Sequence, residues 1–422
     1  MTNDADSKVH VGVVGCGVVA TAYYLPFMLD YEDCEITAVC DLEPRRTEST
    51  ARLFGAAQRY SDYFEMIDRA SLDAVLILTA PGTHATFAIA AAERGLHMLI
   101  QKPMALTLDD ATRIVDAVRS RGLKCVVEPS SNSPLDPDWK HMRDLIDRGV
   151  LGDPYWFAKV PTCGTKYSPM LGGNPYGNAA FYAQDSGGVV FDYPYFPTEI
   201  VTLLGDCKSV NGNAKTSVPE RFIVPDDGYT DWLERQTDPR DCNYWHEVMS
   251  REKTQRITME ANDNCFSTYE MDAGWIGTVH VGRPFHPMLK GTTGGGGLQV
   301  FGRGGNLIFG GGYNGAFISE KPELLPEIDE DGWYKIPPRG DPSKGSWPRP
   351  TPGAFNYYAE STRHLCECIR DDTEPLINAE WGRHITEMMY GALESERSGC
   401  RYTMTTTTRG LREHVNAEED RV

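Results

Sequence analysis

The chain has no run of 18 consecutive apolar residues, so no transmembrane helix is expected. Positive charge is scarce: 41 Lys and Arg stand against 60 Asp and Glu, for a formal net charge of −19. A nucleic-acid surface and attachment to anionic lipid are therefore not expected. No single acidic block explains that charge. The densest, Glu327-Ile328-Asp329-Glu330-Asp331, is short, as in a solvated acidic surface. A disulfide framework is also missing. Eleven cysteines at irregular spacing, with Cys16 inside a glycine turn, point to reduced thiols and a cytoplasmic protein. Cys366-x-Cys368 lies in a helical pattern, where residues two apart do not share a face, so no metal is expected there. The opening MTNDADSKVH has no signal-peptide core. No internal repeat is visible.

What is present is a length of 422 residues, enough for two or three domains. The stretch Val9 to Asp41 organises the rest. Val9 to Val14 is an apolar, β-branched run, as in a strand buried on both faces. Gly15-Cys16-Gly17-Val18-Val19-Ala20 follows as a G-x-G-x-x-A turn, then a helical segment, then a second strand from Ile36 to Cys40 ending on Asp41. Each part has a job in a dinucleotide site. Gly15 permits the tight turn, Gly17 lets backbone approach a pyrophosphate, and Ala20 keeps the helix close to the strand. Asp41 can accept from an adenosine ribose hydroxyl. The plain alternative is a βαβ unit whose glycines serve packing only.

Strand and helix keep alternating. Ala74 to Leu78 reads as a strand ending in Thr79-Ala80-Pro81-Gly82-Thr83-His84, with a helix over 84–94. His97 to Ile100 is a strand ending in Gln101-Lys102-Pro103; Asp109 to Arg121 is an amphipathic helix; Lys124 to Val127 is a last strand. This alternation predicts an α/β fold: a Rossmann-type, doubly wound parallel sheet with ligands at the carboxyl ends of its strands. The pattern changes at Glu128-Pro129, a natural domain crossing. The predicted organisation is a dinucleotide-binding domain over 1–128, a substrate-binding and oligomerisation α+β domain over 129–408, and a charged tail over 409–422. In the second domain, residues 155–161 read as a strand, and Gly187 to Gly205 as a turn followed by one helix. Residues 163–188, rich in Gly, Tyr and Asn, form a candidate substrate loop. Residues 215–256 are a polar, Trp- and Pro-containing insertion. Part of it is expected to cover the substrate mouth, where Trp245 and His246 could enter. Runs between 257 and 312 predict an antiparallel sheet, with Gly294 to Gly297 in a hairpin loop or a phosphate site. Two helices, about 354–370 and 379–397, close the fold.

From about residue 9 to 404 the sequence resembles the glucose-fructose oxidoreductase / inositol dehydrogenase / MocA (Gfo/Idh/MocA) family. The resemblance is carried by GCGVVA with Asp41, TAPGTH, Gln101-Lys102-Pro103, LGDPYWF at 151–157, GGVVFD at 187–192, and Asn356-Tyr357 with Trp381-Gly382-Arg383. It implies a dinucleotide domain followed by a large, mostly antiparallel sheet whose face makes homodimers or homotetramers. It also implies NAD or NADP chemistry on sugars, cyclitols and polyols. Two departures matter. The family's Glu-Lys-Pro is Gln-Lys-Pro here, which alters contacts to the nicotinamide ribose. In the family's Asp-x-x-x-His motif, counting forward from Asp192 puts Phe196 at the His position; counting back from Leu203-Leu204-Gly205 puts Tyr195 there, and Tyr195 is favoured.

Hydride transfer from an alcohol needs a base for the hydroxyl proton and a partner for the developing alkoxide. Lys102 can hold the substrate oxygen and depress a neighbouring Tyr pKa, or be a surface lysine in a turn. Asp192 can orient substrate, relay protons or cap a helix. Tyr195 is the candidate acid/base, with Tyr193 behind it and a packed aromatic as the alternative. Cofactor contacts are assigned to Gly15, Gly17, Val18, Val19 and Asp41, and to Thr79, Pro81, His84, Gln101 and Lys102; His84 is as well suited to capping or packing. Lys166, Tyr167, Tyr182, His280 and Arg283 are candidate substrate contacts. Asp41 favours NAD over NADP, although Arg45 and Arg46 could soften that choice. The expected function is an NAD-dependent oxidoreductase acting on a ring hydroxyl of a sugar, glycoside or cyclitol. The alternatives are a glycoside-cleaving enzyme that recycles its NAD by oxidation, elimination and re-reduction, and a non-catalytic cofactor sensor, against which Lys102 argues.

Overall fold

The computed structural model describes residues 8–159, 186–225, 228–244, 247–248, 251–252, 254–282, 297–309, 315–318, 320, 322–325, 328–330, 332–335 and 357–408. Six parallel strands form the first sheet: β1 (Val9–Val14), β2 (Cys34–Cys40), β3 (Gln58–Tyr60), β4 (Ala74–Ile77), β5 (His97–Ile100) and β6 (Cys125–Val127). Their order, β3-β2-β1-β4-β5-β6, is the doubly wound one, with the switch point between β1 and β4. β4 is buried along its whole length, as a strand covered on both faces must be. The covering helices start and stop where the side chains dictate. Thr107 accepts from the Asp110 N–H to cap Leu108–Arg119, and Glu43 accepts from the Arg45 N–H to open Pro44–Phe54, which ends on left-handed Gly55. After the glycine turn the helical run is not uniform: Ala20–Tyr24 is a π-helical turn that continues as Leu25–Met28.

The second sheet has nine strands in the spatial order Trp333–Lys335, Gly315–Ile318, Gly305–Phe309, Leu298–Gly302, Pro154–Lys159, Ile276–Gly282, Asn264–Met271, Cys207–Lys215 and Tyr402–Thr403. Pro154–Lys159 pairs in parallel with Ile276–Gly282; the other pairs are antiparallel. The sheet is therefore mostly antiparallel, as expected, with one parallel pair. ITME is not part of it: Gln255–Thr258 pairs with Glu220–Ile223 in a separate two-stranded sheet, which places the ends of the 215–256 insertion. GGVVFDYPYF also departs from expectation. It forms two helices, Gly188–Asp192 and Tyr195–Leu204, broken at Tyr193-Pro194, because proline cannot continue the first helix's bonding.

Of the closing helices, Tyr357–Asp371 packs on the parallel sheet and Ala379–Ser398 reaches both sheets. Before the second begins, the Ile377 carbonyl accepts from the Val127 N–H at the end of β6 (2.8 Å). Among the described residues all ten cysteines are free, and no helix is long and apolar enough to cross a membrane.

Candidate active site

The glycine turn has the shape a dinucleotide requires. Gly15 sits at φ +96°, and a Cβ there would stand 2.7 Å from the Leu78 carbonyl oxygen, so only glycine fits. A Cβ on Gly17 would meet nothing within 4 Å, which leaves its backbone open to a ligand. Ala20 is buried where the helix closes on β1, and Val18 is buried with it. Asp41, just past β2, accepts from the Cys16 N–H through Oδ2 (2.8 Å) and from the Glu43 N–H through Oδ1 (2.9 Å). Carboxylate oxygens accept more than one bond, so a ribose hydroxyl can still be held there. Open backbone at Gly17, helix N–H groups behind it and the acid at the end of β2 together fit a dinucleotide.

The ends of β4 and β5 are tied together. His84 is fully buried; Nδ1 lies 2.8 Å from the Pro103 carbonyl and Nε2 3.0 Å from the Thr79 carbonyl. Burial holds its pKa below the ordinary value, with Lys102 acting the same way and the two carbonyl hydrogen bonds acting against it. His84 thus packs and braces. Thr79 Oγ1 meets Thr83 Oγ1 at 2.7 Å, and Pro81 opens the short turn between them.

Lys102, Asp192 and Tyr195 come together although 90 residues separate the first two. Lys102 Nζ donates to Asp192 Oδ1 (3.0 Å) and to the Asp192 carbonyl (2.9 Å). Both side chains are only 17% exposed, so Lys102 is no surface lysine. Asp192 ends the first of the two short helices, and the second opens behind Pro194. Lys102 Nζ stands 5.4 Å from the Tyr195 ring centroid. The surroundings of Tyr195 act on its pKa in the direction opposite to that expected from Lys102. Burial, then Asp192, push the hydroxyl up, and a hydrogen bond with Tyr358 offsets only part of that. The physical reason is that the Lys102 charge is already matched by the Asp192 carboxylate. Phe196 is turned elsewhere: its ring stacks on Tyr193 (5.7 Å), with Lys159 Nζ 5.1 Å from its centroid. Lys159 in turn pairs with buried Glu199.

The sequence reading missed a buried carboxyl at this site. Gln101 Nε2 donates to the Tyr24 hydroxyl (2.7 Å), which donates to Glu128 Oε1 (2.9 Å). Ser361 Oγ donates to the same oxygen and the Ser130 N–H to Oε2, both at 2.5 Å. Burial pushes the Glu128 pKa up against these bonds. Glu128 leaves β6 beside Gln101, its N–H bonded to the Ile100 carbonyl (3.0 Å). The acid absent from position 101 is thus present one strand over, joined through Tyr24. The available signal was an acid directly after a strand of the parallel sheet, where ligands gather.

Other expectations move. His280 does not join the Lys102 group. On the neighbouring strands Phe157 pairs with Gly277 and Lys159 with Val279, and Lys159 reaches Glu199 on the helix side. Side chains alternate across a strand, so His280 belongs to the opposite face. There it stacks on Phe266 (4.1 Å) and meets Asn264 (2.6 Å). Within the insertion, Tyr229–Glu234 lies on the glycine-turn side, not over Lys102: the Tyr229 hydroxyl donates to the Cys16 carbonyl (2.9 Å). Lys166, Tyr167, Tyr182, Arg283, Trp245, His246 and Gly294 to Gly296 lie outside the described residues.

Residues 9–128 match the model of the GFO_IDH_MocA oxidoreductase family, NAD-binding Rossmann fold. The N-terminal region thus matches the Gfo/Idh/MocA family domain. Inositol 2-dehydrogenase 3 of Saccharopolyspora erythraea is 34% identical over 146 residues, 35% of this chain and 43% of that protein. D-apiose dehydrogenase of Paraburkholderia graminis is 29% identical over 237 residues, 55% of this chain and 60% of its own. The chain thus spans less than two thirds of the length of these relatives. The fold extends further: levoglucosan dehydrogenase, solved with NADH and levoglucosan, superposes with a TM-score of 0.69 at 18% identity, covering 94% of this chain and 99% of that one.

Proposed function

We propose that the protein is an NAD-dependent oxidoreductase that moves a hydride between a ring carbinol of a sugar, glycoside or cyclitol and the nicotinamide. The observation that carries this reading is the Lys102–Asp192 pair beside Tyr195, at the ligand-bearing end of a sheet whose first turn fits a dinucleotide. The named activities of the similar proteins, on inositol, D-apiose and levoglucosan, support the substrate class.

Bound nicotinamide would supply the hydride acceptor. Lys102 spends two N–H bonds on Asp192 and keeps a third for the substrate oxygen, where it stabilises the developing alkoxide. Asp192 is the base for the hydroxyl proton. Tyr195, held protonated by burial, donates a hydrogen bond to that oxygen and fixes the reacting hydroxyl. Residues 1–128 serve the cofactor, 129–408 the substrate and assembly, and 409–422 form a tail. The outer face of the nine-stranded sheet exposes Trp156, Phe266 and Ile276, an apolar surface suited to a second copy of the chain.

The test is to titrate NAD by calorimetry, then add sugars, cyclitols and aryl glycosides while following NADH absorbance and aglycone release together. NADH formation with any polyol supports the proposal. Aglycone release without net NADH would replace it with redox-neutral glycoside cleavage. Absence of NAD binding would remove it.

A further inference from the structure

One described segment of the insertion, Gly228 to Tyr244, contacts the turn and helix that would face the adenosine half of a dinucleotide. The Tyr229 side chain is buried. Its hydroxyl lies 2.9 Å from the Cys16 carbonyl and 3.0 Å from Thr21 Oγ1. Since the Cys16 N–H is already held by Asp41, the peptide groups on both sides of Cys16 are pinned. The Pro44–Phe54 helix is bound from the same side. Arg45 Nε donates to Glu234 (2.7 Å), and its Nη2 to Glu234 (2.5 Å) and Asp231 (2.6 Å). Arg46 Nε donates to Thr230 (2.9 Å), with the guanidinium 5.0 Å from the Tyr229 ring centroid. Arg52 donates to the Glu234 and Gln236 carbonyls, and Arg240 pairs with Asp30.

We propose that this segment is a cofactor clasp with two effects: it fixes the glycine turn in its binding shape and it excludes NADP. The proposal rests on the dinucleotide reading above. Arg45 and Arg46 are the side chains in the first helical turn after Asp41 that could receive a 2′-phosphate. Both are directed to the clasp instead. The bridges are exposed and individually weak. Charge is the stronger effect: a 2′-phosphate would arrive beside Asp41, Glu43, Asp231 and Glu234, with Arg45 already matched by two of those acids and Arg46 turned to Thr230 and the Tyr229 ring. Tyr229 acts through preorganisation, which lowers the ordering cost for either dinucleotide.

The experiment is calorimetric titration of NAD and NADP into the full chain, its Asp231→Asn/Glu234→Gln variant and its Tyr229→Phe variant. Neutralising the acids should shift the NADP-to-NAD Kd ratio at least about 10-fold toward NADP. Tyr229→Phe should weaken both dinucleotides by about 3- to 10-fold with the ratio unchanged. A ratio shift below about twofold in the double variant, with unaltered circular dichroism, overturns the exclusion. Wild-type affinity in Tyr229→Phe overturns the preorganisation. If the unmodified chain binds neither dinucleotide, the dinucleotide reading itself is wrong; if it binds NAD while the variants behave as wild type, only the clasp is.

Discussion

Lys102 Nζ lies 3.0 Å from Asp192 Oδ1, and the same ammonium also bonds the Asp192 backbone carbonyl. The pair joins the end of β5 to the break between two helices of the second half. Removing either partner leaves a nearly buried charge unmatched. Lys102→Ala and Asp192→Asn should each lower kcat by about 10² to 10⁴-fold. Their combination should fall far short of the product, because the residues act as one unit. NAD affinity measured in the same samples should stay within about threefold, since the glycine turn is untouched. Additive losses would show that the two side chains work independently.

Tyr195 and Phe196 separate the two ways of aligning this helix. Tyr195→Phe should lower kcat by about 10- to 100-fold, the effect of one lost hydrogen-bond donor. Phe196→His should bring no gain in turnover, because position 196 faces Lys159 and Tyr193. It should instead lower the melting temperature. A faster Phe196→His enzyme with a silent Tyr195→Phe would reverse the assignment.

Glu128 gathers three donors, from Tyr24, Ser361 and Ser130. Glu128→Ala strands them and should cost about 2 to 4 kcal/mol in a urea titration. Glu128→Gln keeps an acceptor and should recover much of that loss. The sign of the pH effect follows from its raised pKa. Folding disfavours ionisation, so this group's contribution falls as pH rises from about 4.3 through the folded value. Glu128→Gln should flatten that part of the curve; an unchanged slope would assign it elsewhere.

His364 gives the opposite sign. Its Nε2 accepts from the Leu376 N–H (3.0 Å), and burial lowers its pKa to about 4. The unfolded chain binds the proton near pH 6.5, the folded chain only near 4. Stability from this group is therefore full above about 6.5 and is lost as pH falls toward 4, by at most roughly 3 kcal/mol. Chemical denaturation between pH 7.5 and 4.5 should show a shallower decline for His364→Gln than for the unmodified chain. Parallel curves would remove His364 from the acid response.

Local patterns made the first half of the fold legible. Buried strands read as β-branched runs, helices begin at Glu43 and Thr107, and Gly15, Gly17 and Asp41 occupy a turn with few alternative uses. Lys102 was legible for a similar reason: it follows a strand directly and so sits at the ligand end of the sheet. The pairing partners were not. Nothing near position 102 says that Asp192 will match its charge, nor that Tyr195 will then hold its proton. The face that His280 takes was not legible, because the direction of alternation depends on which side of the sheet the helices cover. That side is set by the crossing of chain segments far apart in sequence. Glu128 became part of the site only when β6 was laid beside β5 and the Tyr357–Asp371 helix brought Ser361 against it. Tyr229 reaches Cys16 across 213 residues. Residue order by itself determined the elements and the strand ends that present ligand-binding groups, because propensity, periodicity and capping act over a few residues. Tertiary structure alone decided which charges meet and which hydroxyls are buried, because those depend on register and packing between segments that share no local signal.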